Sequence, residues 1–158
     1  MIRRTRNRMR LCVLLLSLLL VFIWGNSLLP GETSGAISHW LQSLLARIFP
    51  GFRPGKEDTG HHLLRKLAHF SEFCCLGLCL SWLLRMLRKA TAAHLLLPLL
   101  GGTLVALTDE TIQCFVPGRG PGLLDVGIDV LGISLGIACI SIIYWLYAKN
   151  KKKYLEEM

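Results

Sequence analysis

The sequence predicts an all-α integral membrane protein, a bundle of four transmembrane helices with an interfacial amphipathic helix between the first and second. Three observations predict it. Hydrophobic residues make up 53% of the 158 residues and mean hydropathy is +0.50, too apolar for an ordinary globular domain. The apolar residues fall into four runs, each long enough to cross about 30 Å of hydrocarbon. The charged residues collect where those runs end. A net charge of +8 could suggest nucleic acid, but that partner would need a basic face, and none is present. The charges read as topology signals instead.

The chain opens on Arg3, Arg4, Arg6, Arg8 and Arg10, so residues 1–10 are expected to be a basic cytoplasmic N-terminus. Leu11 to Trp24 follows as a leucine-rich stretch that extends through Gly25-Asn26-Ser27 to Leu29. A charged start before an apolar run resembles a signal peptide. The nearest approach to an A-x-A cleavage site is the poor match Ser34-Gly35-Ala36, and we expect a retained first helix. Pro30-Gly31 ends that span. Ala36 to Phe49 then places Ile37, Trp40, Leu41, Leu44, Leu45 and Ile48 on one face, the spacing of an amphipathic helix. It is too short and polar to cross, and with Trp40 and Arg47 flanking the stripe it is expected in the interface plane, packed over the mouth of the bundle or both. Pro50-Gly51 stops it, and Phe52 to Gly60 reads as a loop by its proline, glycine and charge content.

Leu63 to Leu84 is the second span, followed by a short basic turn with Arg85, Arg88 and Lys89. Ala92 to Ile112 is the third, with Pro98 inside it, which neighbouring membrane helices can accommodate. A proline- and glycine-rich turn from Gln113 to Gly122 leads to the fourth span, Leu123 to Tyr147. Residues 11–147 form the membrane domain and 148–158 a basic cytoplasmic tail. Five of the six cysteines lie inside apolar runs and no C-x-x-C pair occurs, so they read as small buried hydrophobes; Cys114 alone sits near a boundary. With the N-terminus inside, twelve Lys and Arg fall on the cytoplasmic side and six on the other, which predicts a multi-pass protein of the cell membrane with both termini in the cytoplasm.

That topology brings Lys66, His69, Glu72, Asp109, Glu110, Gln113, Arg119, Asp125 and Asp129 to one end of the bundle, on the outer side. At 3.6 residues per turn, Lys66, His69 and Glu72 or Phe73 follow one helix face, with Glu72 about 9 Å below Lys66. Asp125, Asp129, Gly132 and Gly136 form a second stripe, whose glycines let a neighbouring helix come close. An unpaired carboxylate at mid-membrane costs about 2.5–3.5 kcal/mol on insertion scales, so several together imply pairing or hydration. Lys66, Arg119 and protonated His69 are the available partners. One outcome is an ion-pair network that fixes helix register and does no chemistry.

Three blocks in order carry a family resemblance. They are Lys66-Leu67-Ala68-His69-Phe70-Ser71-Glu72 as K-x-x-H-F-x-E, Asp109 to Arg119 as D-E-x-x-Q-x-F-x-P-G-R, and Asp125 to Gly136 as D-V-x-x-D-x-x-G-x-x-x-G. Together they resemble the VanZ-like family, named for a teicoplanin-resistance membrane protein, over about residues 20–145. Ser27, with Gly31, Ser34 and Ser38, is similar to the family's serine-bearing first segment. The chain departs from the family where Asp129 replaces a common Asn, adding a carboxylate, and where Phe73 replaces a common Tyr. The resemblance implies a role at the outer membrane face, near lipid-linked cell-wall precursors or surface polymers, with lowered glycopeptide sensitivity as the namesake's association.

Three functions compete. The first is a binding or accessory protein whose nine outer residues hold a polar headgroup of a lipid-linked precursor, a glycopeptide or a partner, with Lys66 and Arg119 meeting an anion such as phosphate. This reading needs no metal. The second is an intramembrane enzyme with catalytic candidates His69, Glu72, Asp109 and Glu110, the carboxylates and His69 being able to ligate a hard or borderline metal. No H-E-x-x-H, G-x-S-x-G or phosphate-binding loop pattern occurs. The third is a proton-coupled transporter using Glu72 and Asp129, for which four spans without visible inverted repeats are few. The bilayer is a partner in all three; the sequence leaves the cofactor and the oligomeric state open.

Overall fold

The computed structural model describes residues 2–48, 57–87, 92–120 and 122–156. These form five α-helices: α1 (Ile2–Ser27), α2 (Gly31–Ile48), α3 (Glu57–Leu87), α4 (Ala93–Gln113) and α5 (Leu123–Glu156). Four of them, all but α2, are long and apolar enough to cross a membrane. The all-α, four-span architecture expected from hydropathy is therefore present.

The helix ends differ from the sequence reading in ways that length explains. Glu57 to Gly60, expected in a loop, is the first turn of α3, and Arg85 belongs to that helix rather than to a turn. Arg88 and Lys89 lie outside the described residues, as do Pro50-Gly51 and the 52–56 part of the expected loop. The basic tail continues α5 to Glu156. At 1.5 Å per residue the 34 residues of α5 run about 50 Å, well beyond the hydrocarbon core, so its charged last turns stand clear of the membrane without breaking the helix. Gly31, expected to separate α1 from a helix starting at Ala36, is already the first residue of α2.

The bundle is arranged as the bilayer requires, with apolar side chains outward and a smaller mixed core inward. Val21 is 70% exposed and Leu104 65%, as lipid-facing residues are. The buried apolar core is Cys12, Leu16, Ile23, Phe73, Leu76, Ala106, Ile133 and Ile137, drawn from all four spanning helices. All six cysteines are free, and Pro98 is buried within α4.

The most extensive packing is between α3 and α5. Its cause is local. A Cβ at Gly132 would lie 2.4 Å from the Phe70 carbonyl oxygen, and one at Gly136 would lie 2.3 Å from that of Cys74. No side chain fits there, and the two backbones approach as small residues allow in membranes. That contact places Asp129, one turn before Gly132, beside the α3 turn that carries His69.

Helix α2 is amphipathic in an unexpected sense. Its buried residues are polar, Ser34 and Gln42, while Ile37, Trp40 and Ile48 are 50%, 64% and 58% exposed. It packs on α3 by that polar edge, leaving the apolar stripe pointing away from the bundle. Its start is pinned to the α4–α5 turn, where the Gly31 N–H donates to the Pro117 carbonyl at 3.0 Å. Gly118, at φ 73°, supplies the left-handed residue that brings this turn against α2.

Candidate functional site

The C-terminal ends of α1 and α4 and the N-terminal halves of α3 and α5 meet at one end of the bundle, and the nine sequence-selected residues gather there in two layers. In the outer layer, Lys66 forms an ion pair with Asp125. The Gly122 N–H, at the start of α5, donates to Glu110 Oε2 at 2.9 Å. Arg119 reaches back to the end of α1, donating from Nε to the Leu29 carbonyl at 3.0 Å and from Nη2 to that of Asn26 at 2.8 Å. These bonds satisfy carbonyls that a helix end leaves without intrahelical partners. Burial, then the nearby Arg65, push the Arg119 pKa below its ordinary value, opposed by Asp109, Glu110 and Glu72. Lys66 and Arg119, expected to be available for a bound anion, thus already have protein partners.

The inner layer is His69, Glu72, Asp109, Gln113 and Asp129. Asp109 is fully buried and accepts the Ser27 hydroxyl at 2.6 Å and the Gln113 side-chain amide at 2.9 Å. Gln113 also lies 3.3 Å from Ser27 Oγ, closing a triangle between α1 and α4. Glu72 accepts one bond, from Asn26 Nδ2 at 3.1 Å. His69 Nδ1 is 3.8 Å from Asp109 Oδ2 and 3.9 Å from Glu72 Oε2, too far for a hydrogen bond.

Three atoms facing this layer, His69 Nδ1, Glu72 Oε2 and Asp129 Oδ1, are buried without a hydrogen-bond partner among the described residues. Asp129 is 1% exposed. Buried polar atoms are ordinarily paired, so a cluster of three unpaired ones is unusual. Beside it is a cavity lined by Arg65, Lys66, His69, Glu110, Gln113, Asp125, Ile128 and Asp129, with room for a single water-sized particle. One donor atom each from His69, Asp109 and Asp129 lies within 4.8 Å of the others.

The sequence places all nine residues at this end but does not single out Asn26, which lies in the less apolar extension of the first span. The polar step Gly25-Asn26-Ser27 inside an otherwise leucine-rich run was the available signal. Arg65, which lines the cavity, was counted only as a topology charge.

A family model for VanZ/LLP1 matches residues 11–144, a stretch that contains α1 from Leu11, all of α2 to α4, and α5 as far as Tyr144. No curated protein and no solved structure matches the chain. The three sequence blocks, the second and third apolar spans, most of the first and fourth, and the inner polar layer fall within the matched residues. The chain therefore belongs to the VanZ/LLP1 family.

Proposed function

We propose that the protein acts at the cell envelope, binding a polar, charged ligand at the outer end of its bundle and thereby lowering susceptibility to glycopeptides such as teicoplanin. The ligand class is a lipid-linked cell-wall precursor or a surface-exposed group of similar chemistry. The observation that carries this reading is the buried inner layer, whose Glu72 and Asp129 each hold a carboxylate oxygen without a partner beside a polar-lined cavity. Free carboxylate oxygens accept from hydroxyl or ammonium groups, and Arg65 on the cavity wall suits a phosphate at the mouth.

The first of three supporting features bears on orientation, and the other two on how the polar end is built. The lysine and arginine distribution favours both termini in the cytoplasm, which puts the polar end outside the cell membrane. The outward apolar stripe of α2 suits a helix lying along the lipid interface at that end. The bonds from Asn26 and Ser27 into the inner layer give α1 a reason to be retained after membrane insertion.

A second reading, an intramembrane enzyme acting on such a precursor, is favoured by the placement of His69 between Asp109 and Glu72. A base flanked by carboxylates is the arrangement that general acid–base chemistry uses. His69, Glu72, Asp109 and Glu110 are its candidate catalytic groups.

The test is expression of the wild type and Glu72→Gln in a glycopeptide-sensitive Gram-positive host, measuring teicoplanin susceptibility and membrane abundance together. Reduced susceptibility conferred by the wild type and lost in Glu72→Gln at equal abundance is expected. A host whose susceptibility does not respond to the wild-type protein would sink the reading.

A further inference from the structure

We propose that His69, Asp109 and Asp129 form a binding site for one divalent cation of the Zn²⁺ or Mn²⁺ class, with Glu72 beside His69 as a neighbouring acid. The inference does not depend on the envelope role, because it rests on donor geometry and charge alone.

The charge argument comes first. Glu72, Asp109 and Asp129 are all buried. Among the described residues, no lysine or arginine nitrogen lies within ion-pair distance of any of the three. The lysine on the cavity wall is paired with Asp125; Arg119 gives Nε and Nη2 to backbone carbonyls and keeps a buried Nη1 without a hydrogen-bond partner among the described residues, and Arg65 lines the cavity, so neither arginine closes an ion pair with the three acids. Burying uncompensated carboxylates in low dielectric is costly, and bound cations or protons are the remedies. A divalent cation neutralises two of them at once.

Geometry favours the cation. Donors at about 2.0–2.2 Å from a shared ion stand roughly 3–4 Å from one another. His69 Nδ1 is 3.8 Å from Asp109 Oδ2 and 3.9 Å from Glu72 Oε2, and the donor atoms of His69, Asp109 and Asp129 all fall within 4.8 Å. The 3.8 and 3.9 Å separations are too long for hydrogen bonds and close to those of ligands around one ion, and a donor at the 4.8 Å limit would need to move in by a few tenths of an ångström. The neighbouring cavity holds a single water-sized particle, enough for a water completing the coordination.

The supporting bonds fit as well. Asp109 is oriented by Ser27 and Gln113, and Glu72 by Asn26, each at an oxygen that keeps a further lone pair or leaves its partner oxygen free. Hydrogen bonds that hold ligating side chains in place are a regular part of metal sites. Asp129 Oδ1, by contrast, has no hydrogen-bond partner among the described residues. One imidazole with two carboxylates suits Zn²⁺ or Mn²⁺ better than a soft, thiolate-preferring ion.

The full chain, purified in detergent and stripped with chelator, would be titrated with Zn²⁺ and with Mn²⁺ by calorimetry, with metal per chain measured after gel filtration. We expect saturable binding of one ion per chain. His69→Gln and Asp129→Asn should each weaken it at least about tenfold. Bound metal should raise the Tm of the wild type but not of Asp129→Asn. Absence of saturable binding by the wild type overturns the proposal, whatever the variants do. Retention of the ion at equal affinity in the His69→Gln/Asp129→Asn double variant shows surface adsorption and overturns it too. A protein that binds the ion yet leaves teicoplanin susceptibility unchanged refutes the envelope reading and keeps this one.

Discussion

Two groups of charged residues, one helical turn apart, meet different fates in this protein. In the outer layer Lys66 and Asp125 pair with each other, at 38% and 28% side-chain exposure. In the inner layer Glu72 and Asp129 are 9% and 1% exposed and each retains a carboxylate oxygen with no donor among the described residues. The exposed pair could have relied on water, yet it is the one that is neutralised. The buried group, which needs compensation most, is left incomplete. An ion-pair network serving only helix register would pair the deep charges first, since they cost most. This contrast is what the proposed binding role rests on, with the inner layer as the site and the outer layer as its frame.

The widest disruption should come from the contact that holds both layers in place. Gly132→Leu would drive a side chain into the Phe70 carbonyl and toward the Cys74 amide, backbone atoms that cannot turn aside. A loss of about 3 kcal/mol or more is expected, seen as a lower Tm and loss of monodisperse protein in detergent. Wild-type stability in this variant would mean that the close approach of α3 and α5 does not set the site.

Within the inner layer, the partnered and unpartnered acids should separate. Asp109→Leu strands the Ser27 hydroxyl and the Gln113 amide, and should cost about 2–4 kcal/mol. Asp129→Asn in metal-free protein removes no hydrogen bond at Oδ1 and should stay within about 1 kcal/mol of wild type. Chemical denaturation of both in the same detergent checks the ordering. Equal losses would erase the distinction between frame and site.

The outer pair should matter less. A double-mutant cycle with Lys66→Met and Asp125→Asn is expected to give a coupling of about 1 kcal/mol or less, because both groups are partly solvated. The smallest effect belongs to Lys152→Ala at the opposite end, where the pair with Glu156 is 81% and 66% exposed; its Tm should not move.

Much of the site was legible before any coordinates. His69 and Glu72 at i, i+3, Asp109 and Gln113 one turn apart, and Asp125 and Asp129 above two glycines share faces by helical periodicity alone. What could not be read was who bonds to whom. Arg119 looked like an anion ligand by its charge, but it closes the end of α1, 90 residues away in sequence. Asn26 reads from the sequence only as part of the extension of the first span, but it is the donor that holds Glu72.

Hydropathy, helical period and charge placement thus determined the four spans, the amphipathic helix and the one-sided gathering of polar residues, since each depends on neighbours a few residues apart. Tertiary structure alone decided that Lys66 and Asp125 neutralise each other, and that Asp109 is held while Asp129 is left open. Those outcomes depend on the rotation of one helix against another. Here that rotation is set by the backbone contact at Gly132 and Gly136, and a difference of one partner at that depth separates structural acids from those left to bind.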